Sequence, residues 1–137
     1  MRIILPNVVL LWMLAAVAAT AAQPPAAGVP DLDPEALVGL QATGDPGLVI
    51  LDVRTPDEYA AGHVPGAINV PHDALEARLA SLPELRDRDV VVYCRSGRRS
   101  ALAHEVLKRH GFSRLLHLAG DMDGWTQASR PVERPAP

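Results

Sequence analysis

The sequence predicts an α/β domain: a parallel β-sheet flanked by helices on both faces. Three observations carry this. Residues 48–53 (LVILDV) and 89–93 (DVVVY) are continuous apolar runs rich in β-branched side chains, the pattern of strands buried on both faces. Stretches with helix start and stop signals separate the strand-like runs. Strands that alternate with helices pack most simply as a parallel sheet with right-handed crossovers. The size suits one domain plus a terminal segment, at 137 residues. Hydrophobic residues at 48% against 21% charged exclude a largely disordered chain. A formal net charge of −3 excludes a strongly basic nucleic-acid binder, although one stretch is locally basic.

The chain opens with a segment unlike the rest. Arg2 leads, residues 8–19 are apolar (VVLLWMLAAVAA), and small residues follow up to Gln23. These are the n-region, h-region and cleavage site of a secretory signal peptide over residues 1–22. The apolar run is too short to span a bilayer comfortably. Periplasmic or secreted localisation is expected, with no stable membrane insertion after cleavage; the alternative is an uncleaved N-terminal membrane anchor. Residues 23–30 (QPPAAGVP) read as a linker. The domain then covers residues 31–133, and residues 134–137 are a tail.

Asp33-Pro34-Glu35 supplies a cap, a proline at the first helical position and a first-turn acid, so a short helix with Ala36, Leu37 and Leu40 follows. Residues 43–47 (TGDPG) are a turn into the first buried strand. Thr55-Pro56-Asp57-Glu58 starts a helical turn carrying Tyr59, residues 62–66 (GHVPG) turn again, and residues 67–70 form a short strand. Asp73 is placed to cap a helix whose apolar face is Leu75, Leu79 and Leu82. After the second buried strand and a loop over residues 95–99, residues 100–109 form a helix with Leu102, Val106 and Leu107 inward, stopped by Gly111. Residues 114–118 make a last strand and residues 121–128 a last short helix bearing Trp125. From Pro131 the chain is proline-rich and is expected to be loose.

The single cysteine, Cys94, ends the second buried strand. An oxidising compartment pairs thiols or avoids them, so a lone one needs a reason, either burial or chemistry. Ligands of open α/β sheets sit beyond the carboxyl ends of the strands, where Cys94 lies. Arg95-Ser96-Gly97-Arg98-Arg99 follows, then a helix. A tight curl there turns backbone N–H groups inward, and the helix end and three arginines add positive charge. All of these favour the thiolate and an anionic substrate. The arginines would oppose the helix dipole unless they faced an anion. No metal site is implied: there is no CxxC pair, and the five histidines are scattered.

The stretches LDVRTPDEYAAGHVPGAINVPH, VVYCRSGRRSALA and LAGDMDGW, taken together, resemble the single-domain rhodanese family of thiosulfate sulfurtransferases. The resemblance covers roughly residues 31–133. It implies a five-stranded, mostly parallel sheet flanked by helices. It implies that Cys94 is the nucleophile, accepting sulfane sulfur from thiosulfate or a similar anion as a persulfide and passing it to a thiophilic acceptor, with no cofactor. Residues from Ser96 to Ser100 would donate N–H groups to the persulfide, with Arg95, Arg98 and Arg99 attracting the donor. Asp52 and Arg54 would support the site, Asp52 by accepting N–H bonds of a loop and Arg54 by pairing with Glu58. His63 is assigned to turn geometry and Trp125 to packing. One position departs from the pattern: Asp121 stands where many members have a second glycine, which bears on the turn before the last helix.

Phosphatases and arsenate reductases of the same fold carry a longer cysteine loop, with arginine six positions after the cysteine. Here that position is Ser100, and the last loop arginine is Arg99. The shorter loop fits a single sulfur better than a tetrahedral oxyanion. The alternative function is a sulfur carrier or partner-binding module with little thiosulfate turnover. Aromatic residues are scarce, at 4%, so the chain is expected to be a monomer.

Overall fold

Strand β4 (Asp89–Tyr93) lies at the centre of the sheet, and its neighbours decide what can be placed at its end. The computed structural model describes residues 28–137; the leader expected over residues 1–22 and most of the expected linker fall outside them. The elements in chain order are β1 (Asp31–Leu32), α1 (Pro34–Ala42), β2 (Leu48–Asp52), α2 (Pro56–Ala61), β3 (Ile68–Asn69), α3 (Leu75–Leu79), β4, α4 (Arg98–Arg109), β5 (Leu115–Leu118) and α5 (Asp121–Gln127). The strands form one sheet in the order β1-β5-β4-β2-β3, and every ladder in it is parallel.

Alternation along the strands divides the core in two. Val90, Val92 and Cys94 face one side, where they meet Leu75 and Leu79 of α3 and Ala103 and Leu107 of α4. Val91 and Tyr93 face the other side, against Leu37 of α1, Tyr59 of α2, and Met122 and Trp125 of α5. Both sheet faces are therefore covered. From β2 the chain crosses to β3 on one side, and from β4 it crosses to β5 on the other. The strand order thus reverses between β2 and β4. That is where an α/β sheet opens a crevice at its carboxyl edge.

Local signals explain most boundaries. Asp33 caps α1 by accepting from the Glu35 N–H at 2.8 Å. Thr55 and Glu58 form a reciprocal capping box on α2. Other expectations are corrected. Asp73 does not cap α3, which starts after Ala74 without a side-chain cap. Residues Pro83–Asp87 form a 3-10 turn that the sequence did not signal. Helix α4 starts at Arg98, so Arg98 and Arg99 belong to its first turn and not to the preceding loop. Its buried stripe is Ser100, Ala103, His104 and Leu107, while Leu102 is 53% exposed. Leu107 is buried and Val106 packs against the core as expected, but two members of the stripe are polar, which is why apolar spacing took Leu102 inward in their place. Strand β1 is two residues long and pairs with β5 at the sheet edge, too short to show a periodic pattern.

The segment after Pro131 is docked, contrary to expectation. His63 and Glu133 exchange two backbone hydrogen bonds of 2.9 Å. The Trp125 indole N–H donates to the Pro131 carbonyl at 2.9 Å, and Arg134 Nε donates to the Ala61 carbonyl at 3.0 Å. Prolines remove donors from this stretch, but the residues beside them still hold it. Deleting residues 131–137 should cost on the order of 1–3 kcal/mol, the cost of orphaning the buried indole donor and breaking the bridge. Chemical denaturation followed by fluorescence checks this, with the emission of Trp125 shifting to the red in the truncated chain.

Candidate active site at the carboxyl edge

Cys94 follows the last residue of β4 and is 1% exposed. The chain then turns through Arg95, Ser96 and Gly97 into α4. Gly97 sits at φ +109°, in the region open to glycine, and its N–H donates to Cys94 Sγ at 3.0 Å. A Cβ on Gly97 would stand 3.2 Å from the Asp121 carboxylate, so space as well as backbone angle calls for glycine. Ser100 Oγ lies 3.7 Å from Sγ and donates to the Gly97 carbonyl at 2.9 Å. The start of α5 holds the loop from the side: the Met122 and Asp123 N–H groups donate to the Cys94 and Arg95 carbonyls at 3.0 and 3.1 Å. One backbone donor therefore already addresses the sulfur, and a hydroxyl flanks it.

The arginines of this region divide sharply. Arg99 forms a bidentate pair with Glu58 at 2.6 and 2.9 Å. That contact holds the Glu58 carboxyl down at about 2. Arg54, expected to pair with Glu58, instead pairs with Asp52, at 2.6 Å from Nη2 and 3.0 Å from Nε, and donates to the Gly62 carbonyl. Asp52 is two residues away along an extended chain, whereas Glu58 is taken by Arg99. Arg95 is exposed, with Nε 3.6 Å from Asp123, and Arg98 is exposed on the first turn of α4. Ser96 is exposed in the loop.

Asp52, fully buried at the end of β2, also accepts from the Arg54 N–H at 3.0 Å and from the Tyr93 hydroxyl at 2.7 Å. That hydroxyl accepts from the Val64 N–H at 3.0 Å. Burial, then the Asp52 charge, pushes the Tyr93 phenol far up, so it remains a donor. Asn69 of β3 donates to the Asp52 and Arg54 carbonyls, both at 3.0 Å. The network joins the ends of β2, β3 and β4 and fixes one wall of the crevice. His63 stacks on the Tyr59 ring with centroids 3.6 Å apart, and Trp125 is buried in the core.

Beside the loop a cleft of about 360 Å³ is lined by Arg54, Glu58, Arg95, Met122, Asp123 and Arg134, among others. Among the described residues no cluster of three His, Cys, Asp or Glu side chains could hold a metal ion. Apolar spacing gave no hint of one further group. The Asp121 carboxylate accepts from the Cys94 N–H at 2.9 Å and lies 3.0 Å from His117 Nε2, while His117 Nδ1 lies 2.7 Å from Asp31. The only signal in the sequence was the aspartate standing at a glycine position.

A family model described as "Rhodanese-like domain" matches residues 33–128. A protein named sulfurtransferase from Allochromatium vinosum is 39% identical over 88 residues, covering 64% of this chain and 80% of that one. The thiosulfate sulfurtransferase PspE of Escherichia coli is 37% identical over 73 residues, covering 53% and 70%. Other curated relatives are longer, and the match spans between 21% and 53% of them. The solution structure of a rhodanese-like domain from Anabaena sp. superposes with a TM-score of 0.69 at 30% identity, covering 79% of this chain and 81% of that one.

The Glu58–Arg99 pair gives a pH prediction. Its folded value near 2 lies below the ordinary 4.5, so the pair stabilises the fold above about pH 4.5 and that contribution disappears as pH falls toward 2. Glu58→Gln should be less stable than wild type by about 1 kcal/mol near neutrality. Denaturation measured across pH should show the difference closing on acidification.

Proposed function

The chain belongs to the rhodanese family, and from that membership we propose that it is an exported sulfurtransferase that carries sulfane sulfur on Cys94. Sulfur transfer in general comes with the family and its sulfurtransferase relatives. The single observation that supports Cys94 as the carrier is the Gly97 N–H on its sulfur, 3.0 Å away, at the end of the central strand. A donor hydrogen bond to Sγ suits negative charge on that sulfur.

The reaction has two displacements. The Cys94 thiolate attacks the sulfane sulfur of thiosulfate or a similar anion. A new S–S bond forms, the old one breaks, and its electron pair leaves on sulfite. An acceptor nucleophile, a thiolate or cyanide, then attacks the outer sulfur of the persulfide, and the Cys94 thiolate departs with the electron pair of that bond. The outer sulfur carries negative charge, and N–H groups of the loop from Ser96 to Ser100 would receive it, as the Gly97 N–H receives Sγ. Arg99 is tied to Glu58, so attraction of the donor anion falls to exposed Arg95 and Arg98. Export rests on residues 1–22, whose charged start, apolar centre and small-residue end have the order of a cleavable leader.

Mass spectrometry after incubation with thiosulfate tests this. The wild type should gain one sulfur, lose it to cyanide, and show no gain as Cys94→Ser. No gain on a demonstrably free thiol would contradict the proposal. Loading that no small acceptor discharges would turn it into a sulfur-carrier function.

A further inference from the structure

We propose that Asp121 and His117 form a charge-balanced support under the cysteine loop: the Asp121 carboxylate positions Cys94, and His117 in its protonated form cancels the carboxylate's charge beneath the sulfur. The proposal rests on Cys94 being the reactive group of the site. It does not rest on thiosulfate being the donor.

The geometry sets up a conflict that needs a partner. Asp121 is 3% exposed, with Oδ1 2.9 Å from Cys94 N and 3.4 Å from Ser100 Oγ. That hydroxyl is in turn 3.7 Å from Sγ. A single hydroxyl thus separates the carboxylate from the nucleophile. An uncompensated negative charge so close disfavours a thiolate and repels an anionic donor. Asp121 also occupies φ +53°, a backbone angle that glycine adopts more easily. The residue works against the cradle unless something neutralises it.

His117 supplies the compensation. It reaches Asp121 Oδ2 at 3.0 Å through Nε2 and Asp31 Oδ1 at 2.7 Å through Nδ1. A neutral imidazole carries one N–H and can satisfy only one of two carboxylates, leaving a lone pair against the other. Both contacts together require the imidazolium. The hydrogen bond to Asp121 raises His117 to about 9, with burial opposing it and Asp31 adding to it. Burial would raise Asp121, but the bonds from His117 and the Cys94 N–H hold it below its ordinary range. From α4, His104 meets the His117 ring edge-on at 5.9 Å, and burial first of all keeps His104 low. Lys108 and Glu105 of α4 share with His117 the rim of a cavity of about 300 Å³. Residues of β1, β5, α4, α5 and the β4 end are thereby wired to one sulfur.

Cys94 is the only cysteine, so alkylation reads its reactivity without any sulfur donor. His117→Gln leaves Asp121 charged and unbalanced and should slow iodoacetamide at neutral pH roughly tenfold, the effect of one nearby unit charge. Asp121→Asn keeps an acceptor oxygen without the charge, and the double variant should recover most of the lost rate. Unchanged alkylation in His117→Gln, or losses that simply add in the double variant, would overturn the proposal. Should His117→Gln fail to fold, wild type and Asp121→Asn decide. The ratio of iodoacetate to iodoacetamide rates should fall in wild type as pH passes about 9, where His117 loses its proton, and stay level in Asp121→Asn. A level wild-type ratio would overturn it. A chain that alkylates as described yet gains no sulfur from thiosulfate would contradict the proposed function alone.

Discussion

A backbone amide pointed at a sulfur is the constraint on which the rest of this site depends. The Gly97 N–H lies 3.0 Å from Cys94 Sγ, three residues earlier in the chain. For the chain to curl that tightly, Gly97 adopts φ +109°, and a Cβ there would crowd the Asp121 carboxylate at 3.2 Å. The loop must also begin from a fixed point. That point is the end of β4, the central strand, paired in parallel with β2 on one side and β5 on the other. Parallel pairing brings the ends of all three strands to one edge, so the segments after them meet there. The α5 N–H groups that grip the Cys94 and Arg95 carbonyls come from the segment after β5. The Asp52–Arg54 wall comes from the segment after β2.

Charge in this region is mostly frame. Asp52–Arg54, Glu58–Arg99 and Asp121–His117 are each paired across short distances. Buried or half-buried pairs of this kind gain little net stability because each charge must first be desolvated. Their effect is to fix where backbone and side chains sit. The Tyr93 hydroxyl, between Asp52 and the Val64 N–H, extends that fixing to the turn over residues 62–66. The exposed cations left at the loop are Arg95 and Arg98, on either side of Gly97. Arg95 and Arg98 thus stand exposed beside pairs that neutralise one another.

The sheet was legible because its central strands are buried on both faces, which leaves apolar runs such as DVVVY with no polar alternation to confuse them. Cys94 and Gly97 were legible from their place between such a strand and a helix. Pairing was not. Arg54 is expected to pair with Glu58, but Glu58 reaches across to Arg99 of α4, 41 residues away. Leu102 was turned inward because apolar spacing cannot see that Ser100 and His104 are buried polar residues. The docked segment after Pro131 depends on a carbonyl meeting the Trp125 indole and on a bridge to His63, contacts that composition does not encode. Asp121 was visible as a departure from the family's glycine. Its purpose became visible only when β5 placed His117 beside it.

The proposed function requires a loop shaped to hold a sulfur on Cys94. The most direct measurement is a crystal structure of the protein frozen after reaction with thiosulfate. The account predicts one extra sulfur bonded to Cys94 Sγ, lying inside the curl and within hydrogen-bond distance of backbone N–H groups between Ser96 and Ser100, with the Gly97 contact retained. An unmodified Cys94, or an added sulfur turned away from the loop with its N–H groups unengaged, would contradict it.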